Sequence, residues 1–310
     1  MHKHVLDFQK KWAIIYSPKP THKTQKRWVA IRRYLNAIHQ PFDFVQSEGE
    51  GCVRRLAAMF ANDGYTTIII VGGDAALGEA VDGIMSTPLK ADQRPALGII
   101  PNGYTNDFAN YWEFDADNIE DSIQRLRLGR CRKVDVGRLV THAKDEVPQY
   151  FLNCINIGIG ASIAHHHQHR SRWWALQWIK NLHSALKIVF SRREFPLSLH
   201  LNFQTFEHPY TTICIGSASG FGQTPSAVPY NGQLDITAVS QAPFTRTLNG
   251  LWLLFTGRFL TYPNAHCHRT RKLEISDPYS APISIDGRCY STTAQNYTID
   301  IIPEAINFIV

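Results

Sequence analysis

The segment from Tyr65 to Ile84 places the tightest constraint on what this chain can fold into. Tyr65-Thr66-Thr67-Ile68-Ile69-Ile70-Val71 is an unbroken, β-branched run of the kind found in strands buried on both faces of a parallel sheet. Gly72-Gly73-Asp74 follows, and then a stretch with helical composition from Ala75 onward. A strand that turns through two glycines into a helix leaves backbone N–H groups pointing at whatever anion sits there, so a phosphate can dock. Asp74 is a poor phosphate partner, and its carboxylate better suits a metal, a ribose or a positioning water. Gly-Gly-Asp alone also fits a plain strand-to-helix turn, since short glycine motifs carry little specificity.

The second constraint is Leu97-Gly98-Ile99-Ile100-Pro101-Asn102-Gly103-Tyr104-Thr105-Asn106-Asp107-Phe108-Ala109, again an apolar strand entering a Gly/Asn/Asp loop and a helix. Upstream, Trp12–Tyr16 and Phe42–Val45 read as strands, while 25–39 and 51–62 have helical spacing. Strand and helix alternate to about Gly129, which predicts a doubly wound, mostly parallel α/β sheet with ligands at the carboxyl ends of its strands. After Lys133 the pattern changes to short strands at 149–157, 197–203, 211–215, 234–239, 272–275, 282–285 and 297–302. Close spacing with Gly, Pro and Asn turns predicts an antiparallel β-sandwich. The expected domains are 1–135, completed by 303–310, and 136–302.

Together the two glycine segments resemble the catalytic domain of the diacylglycerol kinases, which reads Gly-Gly-Asp-Gly-Thr at the first site and Pro-Leu-Gly-Thr-x-Asn-Asp-Phe-Ala at the second. The resemblance continues through Lys133–Arg138, Tyr150–Asn153, Asn231–Ile236 and Ile283–Gly287, in the family's order and over nearly the whole chain. It implies a Rossmann-like nucleotide domain, a β-sandwich domain for the lipid, and a fold shared with NAD kinase and phosphofructokinase. It further implies ATP and Mg²⁺ as cofactors and a lipid alcohol such as diacylglycerol as substrate. ATP would lie at Gly72, Gly73, Asp74, Gly103, Thr105 and Asn106. Asp286 matches the candidate base that deprotonates the lipid hydroxyl, Asp135 matches an acid in a network reaching the magnesium, and Asn231 falls in the turn near a structural metal. Read from the residues alone, Asp286-Gly287 is equally an Asp-Gly hairpin turn, and Asn231-Gly232 an Asn-Gly one.

Several positions depart from that pattern. Ala75 and Ala76 replace Gly-Thr, Tyr104 replaces Thr, Asn231 replaces Asp, and Arg288 stands where the family has Glu. A Cβ at position 75 would be costly if the backbone there has positive φ. The guanidinium of Arg288 is expected to lower the pKa of Asp286 and to suit an anion. These changes keep a second reading open, a non-catalytic relative that binds lipid or nucleotide.

A formal net charge of +6 favours an anionic partner, and a phosphorylated ligand, an acidic lipid surface or nucleic acid all qualify. No recognisable nucleic-acid motif is present, so the expectation is no nucleic acid. Between Arg170 and Phe195, tryptophans and basic residues interleave, and Trp173, Trp174, Arg170 and Arg172 are candidates for contact with a membrane surface. The alternative is a helix packed on the sandwich. The first residues lack the apolar core of a signal peptide, which predicts a cytoplasmic protein, peripheral at the inner face of the membrane. Homodimerisation is left open. Six scattered cysteines carry no Cys-x-x-Cys spacing, so reduced thiols are expected, with Cys267 in packing. His165–His169 reads as a solvated loop, and Ser219–Gly222 lacks the order of a nucleophile elbow.

Overall fold

The computed structural model describes residues 11–18, 22–103, 106–143, 146–162, 193–201, 203–219, 223–277 and 281–310. The chain forms two units, Met1–Val134 with Glu304–Val310, and Asp135–Pro303.

In the first unit, β1 (Trp12–Tyr16), β2 (Phe42–Gln46), β3 (Thr67–Gly72) and β4 (Ala96–Pro101) run parallel in the order β2-β1-β3-β4. The end of the C-terminal strand continues the sheet, with Phe308 opposite Leu97. Every residue of β1 and β3 is buried, as their unbroken apolar sequences require. Among its described residues the unit also holds α1 (His22–Ala37), α2 (Cys52–Asn62), α3 (Asp74–Met85), α4 (Asp107–Tyr111) and α5 (Ile119–Leu128). The chain leaves β1 outward to β2 and then returns past β1 to β3 and β4. Right-handed crossovers therefore place α1 on one face and α2 and α3 on the other. The strand order reverses between β1 and β3, and open α/β sheets take ligands at the carboxyl ends of such a pair.

The second unit is antiparallel. It contains β5 (Cys131–Thr141), β6 (Gln149–Phe151), β7 (Cys154–Gly158), β8 (Phe195–Leu201), β9 (Gln204–Gly216), β10 (Leu234–Ser240), α6 (Phe244–Phe255), β11 (Ala265–Thr270), β12 (Lys272–Ser276), β13 (Ile283–Ile285), β14 (Arg288–Tyr290) and β15 (Asn296–Ile309). The first residues of β5 and the last of β15 belong to the first unit. β9 pairs along its first half with β8 and along its second half with both β7 and β10. The inward-facing alternate residues, among them Leu197, Leu199, Ile213, Ile215, Ile236, Leu273, Ile275 and Ile299, form one core.

Four features differ from the sequence pattern. The strand expected over 149–157 is broken at Leu152-Asn153, giving β6 and β7. β9 begins well before Thr211. β15 continues unbroken to Ile309, with Glu304 at φ 50° just after Pro303. The pattern also gave no sign of α6, β11 or β14.

Candidate functional site

The two glycine loops of the first unit are joined by hydrogen bonds. Gly72 accepts from the N–H of Asn102 (2.7 Å), and Val71 from that of Ser17 (3.0 Å), which aligns the carboxyl ends of β1, β3 and β4. Neither glycine needs a left-handed backbone: Gly73 caps α3 in an extended conformation, φ −116°. Space is the constraint at Gly72, where a Cβ would lie 3.0 Å from that of Ala76 and 3.4 Å from that of Ser17. Ala75 lies within α3, whose dihedrals impose no strain on a Cβ, so its only effect is the volume it fills.

Asp74 is 2% exposed. Its Oδ2 accepts from the N–H of Asp107 (2.8 Å) and its Oδ1 from that of Phe108 (3.2 Å). The carboxylate thus caps α4 from the loop of the neighbouring strand and ties the two loops together. Asn106 folds over its own loop, its Oδ1 accepting from the N–H of Gly103 (3.1 Å). Thr105 lies outside the described residues. Sequence reasoning passed over Asn102. It is 1% exposed, and neither its Oδ1 nor its Nδ2 has a hydrogen-bond partner. A buried amide left unpaired costs free energy that a ligand can recover.

In the second unit, Asp286 and Gly287 form the two-residue turn between β13 and β14, with Ile285 opposite Arg288. Both have positive φ, 47° and 79°, as a type I′ hairpin demands. The left-handed conformation costs Asp286 on the order of 1 kcal/mol. Its carboxylate offsets that cost by accepting three backbone N–H groups: Leu152 to Oδ2 (2.8 Å), Asn153 to Oδ1 (2.8 Å) and Cys154 to Oδ1 (3.0 Å). These donors lie at the break between β6 and β7 and at the start of β7.

Burial pushes the Asp286 carboxyl up to about 6, against the opposing pull of the three N–H groups and of Arg288. The lowering expected from Arg288 alone is therefore reversed, because removing a carboxylate from water outweighs a guanidinium in partial contact with solvent. Asn153 Oδ1, Ser284 Oγ and Arg288 Nε are also buried without hydrogen-bond partners.

Asp135 and the Asn231-Gly232 turn come together, but around main-chain donors. Asp135 Oδ2 accepts from the N–H of Gly232 (2.6 Å), and Asn231 Oδ1 from that of Gln233 (2.9 Å). Asp235 accepts both N–H groups of one edge of the Arg269 guanidinium, Nε to Oδ1 and Nη2 to Oδ2. No group of three or more His, Cys, Asp or Glu able to hold a metal exists among the described residues. Arg170, Arg172, Trp173, Trp174 and the histidine tract lie outside the described residues. Cys267 is exposed on β11 rather than packed. Among the described residues, no helix is long and apolar enough to cross a membrane.

The reversed strand order, the paired glycine loops and the following antiparallel unit define a two-unit protein whose first unit is a Rossmann-like α/β fold. The profile of the diacylglycerol kinase catalytic domain matches residues 11–139, and that of the YegS C-terminal NAD kinase β-sandwich-like domain matches residues 153–310. This chain belongs to the diacylglycerol kinase family. It is 21% identical to a diacylglycerol kinase of Staphylococcus carnosus, over 90% of this chain and 89% of that one. It is 26% identical to a probable lipid kinase, YegS-like, of Shewanella frigidimarina, over 80% and 77%. A crystal structure of a diacylglycerol kinase from Bacillus anthracis shares the fold, with TM-score 0.66 at 18% identity over 97% of this chain and 96% of the other.

Proposed function

We propose that this chain is an ATP-dependent lipid kinase that phosphorylates a hydroxyl of a diacylglycerol-class lipid, with Asp286 as its base. What carries the reading is the match of both units to the diacylglycerol kinase family, joined by the Asp286 carboxyl, held by three main-chain N–H groups and pushed up to about 6 by burial, where a group can accept a proton at neutral pH. ATP supplies the γ-phosphoryl group, and Mg²⁺ enters with it as counter-ion to its phosphates. Gly72, Gly73 and the loop containing Gly103 and Asn106 receive the phosphates at the start of α3, and the unpaired Asn102 amide offers both a donor and an acceptor. Asp286 Oδ2, which holds a single N–H, takes the hydroxyl proton as the lipid oxygen bonds to phosphorus and the bond to the ADP oxygen breaks. No step runs through Asp135 or Asn231, whose oxygens hold main-chain N–H groups.

A second reading, binding without transfer, is favoured by Arg288, whose buried and unpartnered Nε suits an anionic group beside Asp286. Calorimetric titration with Mg-ATP, followed by an assay of ³²P transfer to diacylglycerol in detergent micelles, separates the two. The kinase reading requires both binding and transfer. ATP binding with no transfer supports the second reading, and no ATP binding removes the first.

A further inference from the structure

α6 buries one face and leaves the other in solvent. Leu253 and Leu254 pack on the small cluster of Val239, Phe259 and Tyr262, and the Tyr262 ring lies so close to Gly250 that a Cβ there would be 2.9 Å from it. On the outer face Phe244, Leu248 and Trp252 recur every fourth residue, 45%, 46% and 64% exposed. That spacing aligns them in one stripe about 12 Å long. Leu260, in the 3₁₀ turn Phe259–Thr261 that follows, is 42% exposed.

The charge around this stripe has one sign. Residues 236–273 contain no Asp or Glu and five Arg or Lys. Asp235 and Glu274, at either end, engage Arg269 and Lys272. Arg246, Arg258 and Arg271 remain exposed. A second copy of this chain pairing face to face about a two-fold axis would bring two segments without a single acidic side chain together, with no carboxylate to meet Arg258. An anionic lipid surface instead satisfies both features, because tryptophan settles at headgroup depth, Phe and Leu enter the acyl boundary, and arginines pair with phosphates.

We infer that the outer face of α6 docks this protein on an anionic phospholipid bilayer through Phe244, Leu248 and Trp252, with Arg258, in the turn that follows the helix, on the headgroups. The inference deepens the lipid kinase reading by naming the surface from which substrate is taken.

Flotation of the full chain with phosphatidylcholine vesicles, and with vesicles of equal parts phosphatidylcholine and phosphatidylglycerol, tests it. The wild type is expected to float with the anionic vesicles. Replacing all three apolar residues, Phe244→Ser, Leu248→Ser and Trp252→Ser, should weaken that binding ~30-fold or more. Arg258→Gln should weaken it about threefold to fivefold on anionic vesicles only, an effect that salt mimics in the wild type. If the triple variant fails to fold, Trp252→Ala with Arg258→Gln replaces it, with about fivefold loss expected for the tryptophan alone. Unchanged flotation of the folded variants overturns the inference. So does a wild-type dimer that the variants convert to monomer without loss of vesicle binding, because the face would then serve self-association. Transfer to a water-soluble short-chain diacylglycerol keeps the two readings apart: its absence from the wild type removes the kinase reading and leaves flotation standing.

Discussion

Asp286 holds the tension between structure and chemistry in this chain. Its turn is the hairpin that an Asp-Gly pair predicts, yet the carboxylate also anchors a strand break more than a hundred residues away in sequence. Nothing local in Leu152-Asn153 announces that contact, so the sequence pattern read straight through it. Because the native carboxyl titrates near 6 and its unperturbed value is 3.8, the folded chain binds this proton more tightly than the unfolded chain between those values. Its contribution to stability is therefore present below pH ~4 and is lost as pH rises toward ~6. Transfer activity should run the opposite way, rising with pH as Asp286 ionises and levelling above about 6. A profile of kcat/KM flat across pH 5 to 7, measured above the acid unfolding range, would contradict the base assignment. The Gly-Gly-Asp motif draws attention to Asp74 but gives no sign of its role as a cap, since its partners arise from a separate loop. Asp74→Ala should cost about 2–3 kcal/mol by stranding the N–H groups of Asp107 and Phe108, read as a lowered midpoint in urea.

At the scale of elements, the buried strands were legible because continuous Ile/Val runs admit few alternatives, as in β1 and β3. α6 was not. Its LWLLF stretch is apolar on every side, and a helix with an exposed apolar stripe mimics a buried run of any type. β11 was hidden because AHCHRT lacks the alternation of a half-buried strand, and it pairs with β10 alone. The contact of α2 with α3 depends on a single position that no pattern flagged. A Cβ on Gly83 would lie 2.1 Å from the backbone oxygen of Arg54. Asp82, fully buried beside it, meets the Arg54 guanidinium at 2.8 Å. Gly83→Ala should therefore force the helices apart and cost about 3 kcal/mol. A urea midpoint within error of wild type would show that the helices slide at no cost.

For the whole molecule, the fold class was readable because two periodicities succeed one another, and 3.6- and 2-residue patterns cannot be exchanged. The candidate site was readable only in outline. Its glycines and Asp286 stand in recognisable motifs, whereas Asn102 and the N–H donors of 152–154 emerge from long-range pairing alone. Both units carry a buried carboxylate that receives main-chain N–H groups at its heart, Asp74 in one and Asp286 in the other. The account gives the first a structural task and the second a chemical one. The most direct test compares wild type with Asp286→Asn in ATP-dependent phosphorylation of diacylglycerol in micelles, with ATP affinity and thermal unfolding measured on both. The account predicts wild-type transfer matched by ADP release, and on the order of 10²-fold or greater loss in a folded Asp286→Asn whose ATP affinity stays within a few-fold. A folded variant that keeps its rate within a few-fold, or a folded wild type that transfers nothing, would contradict it.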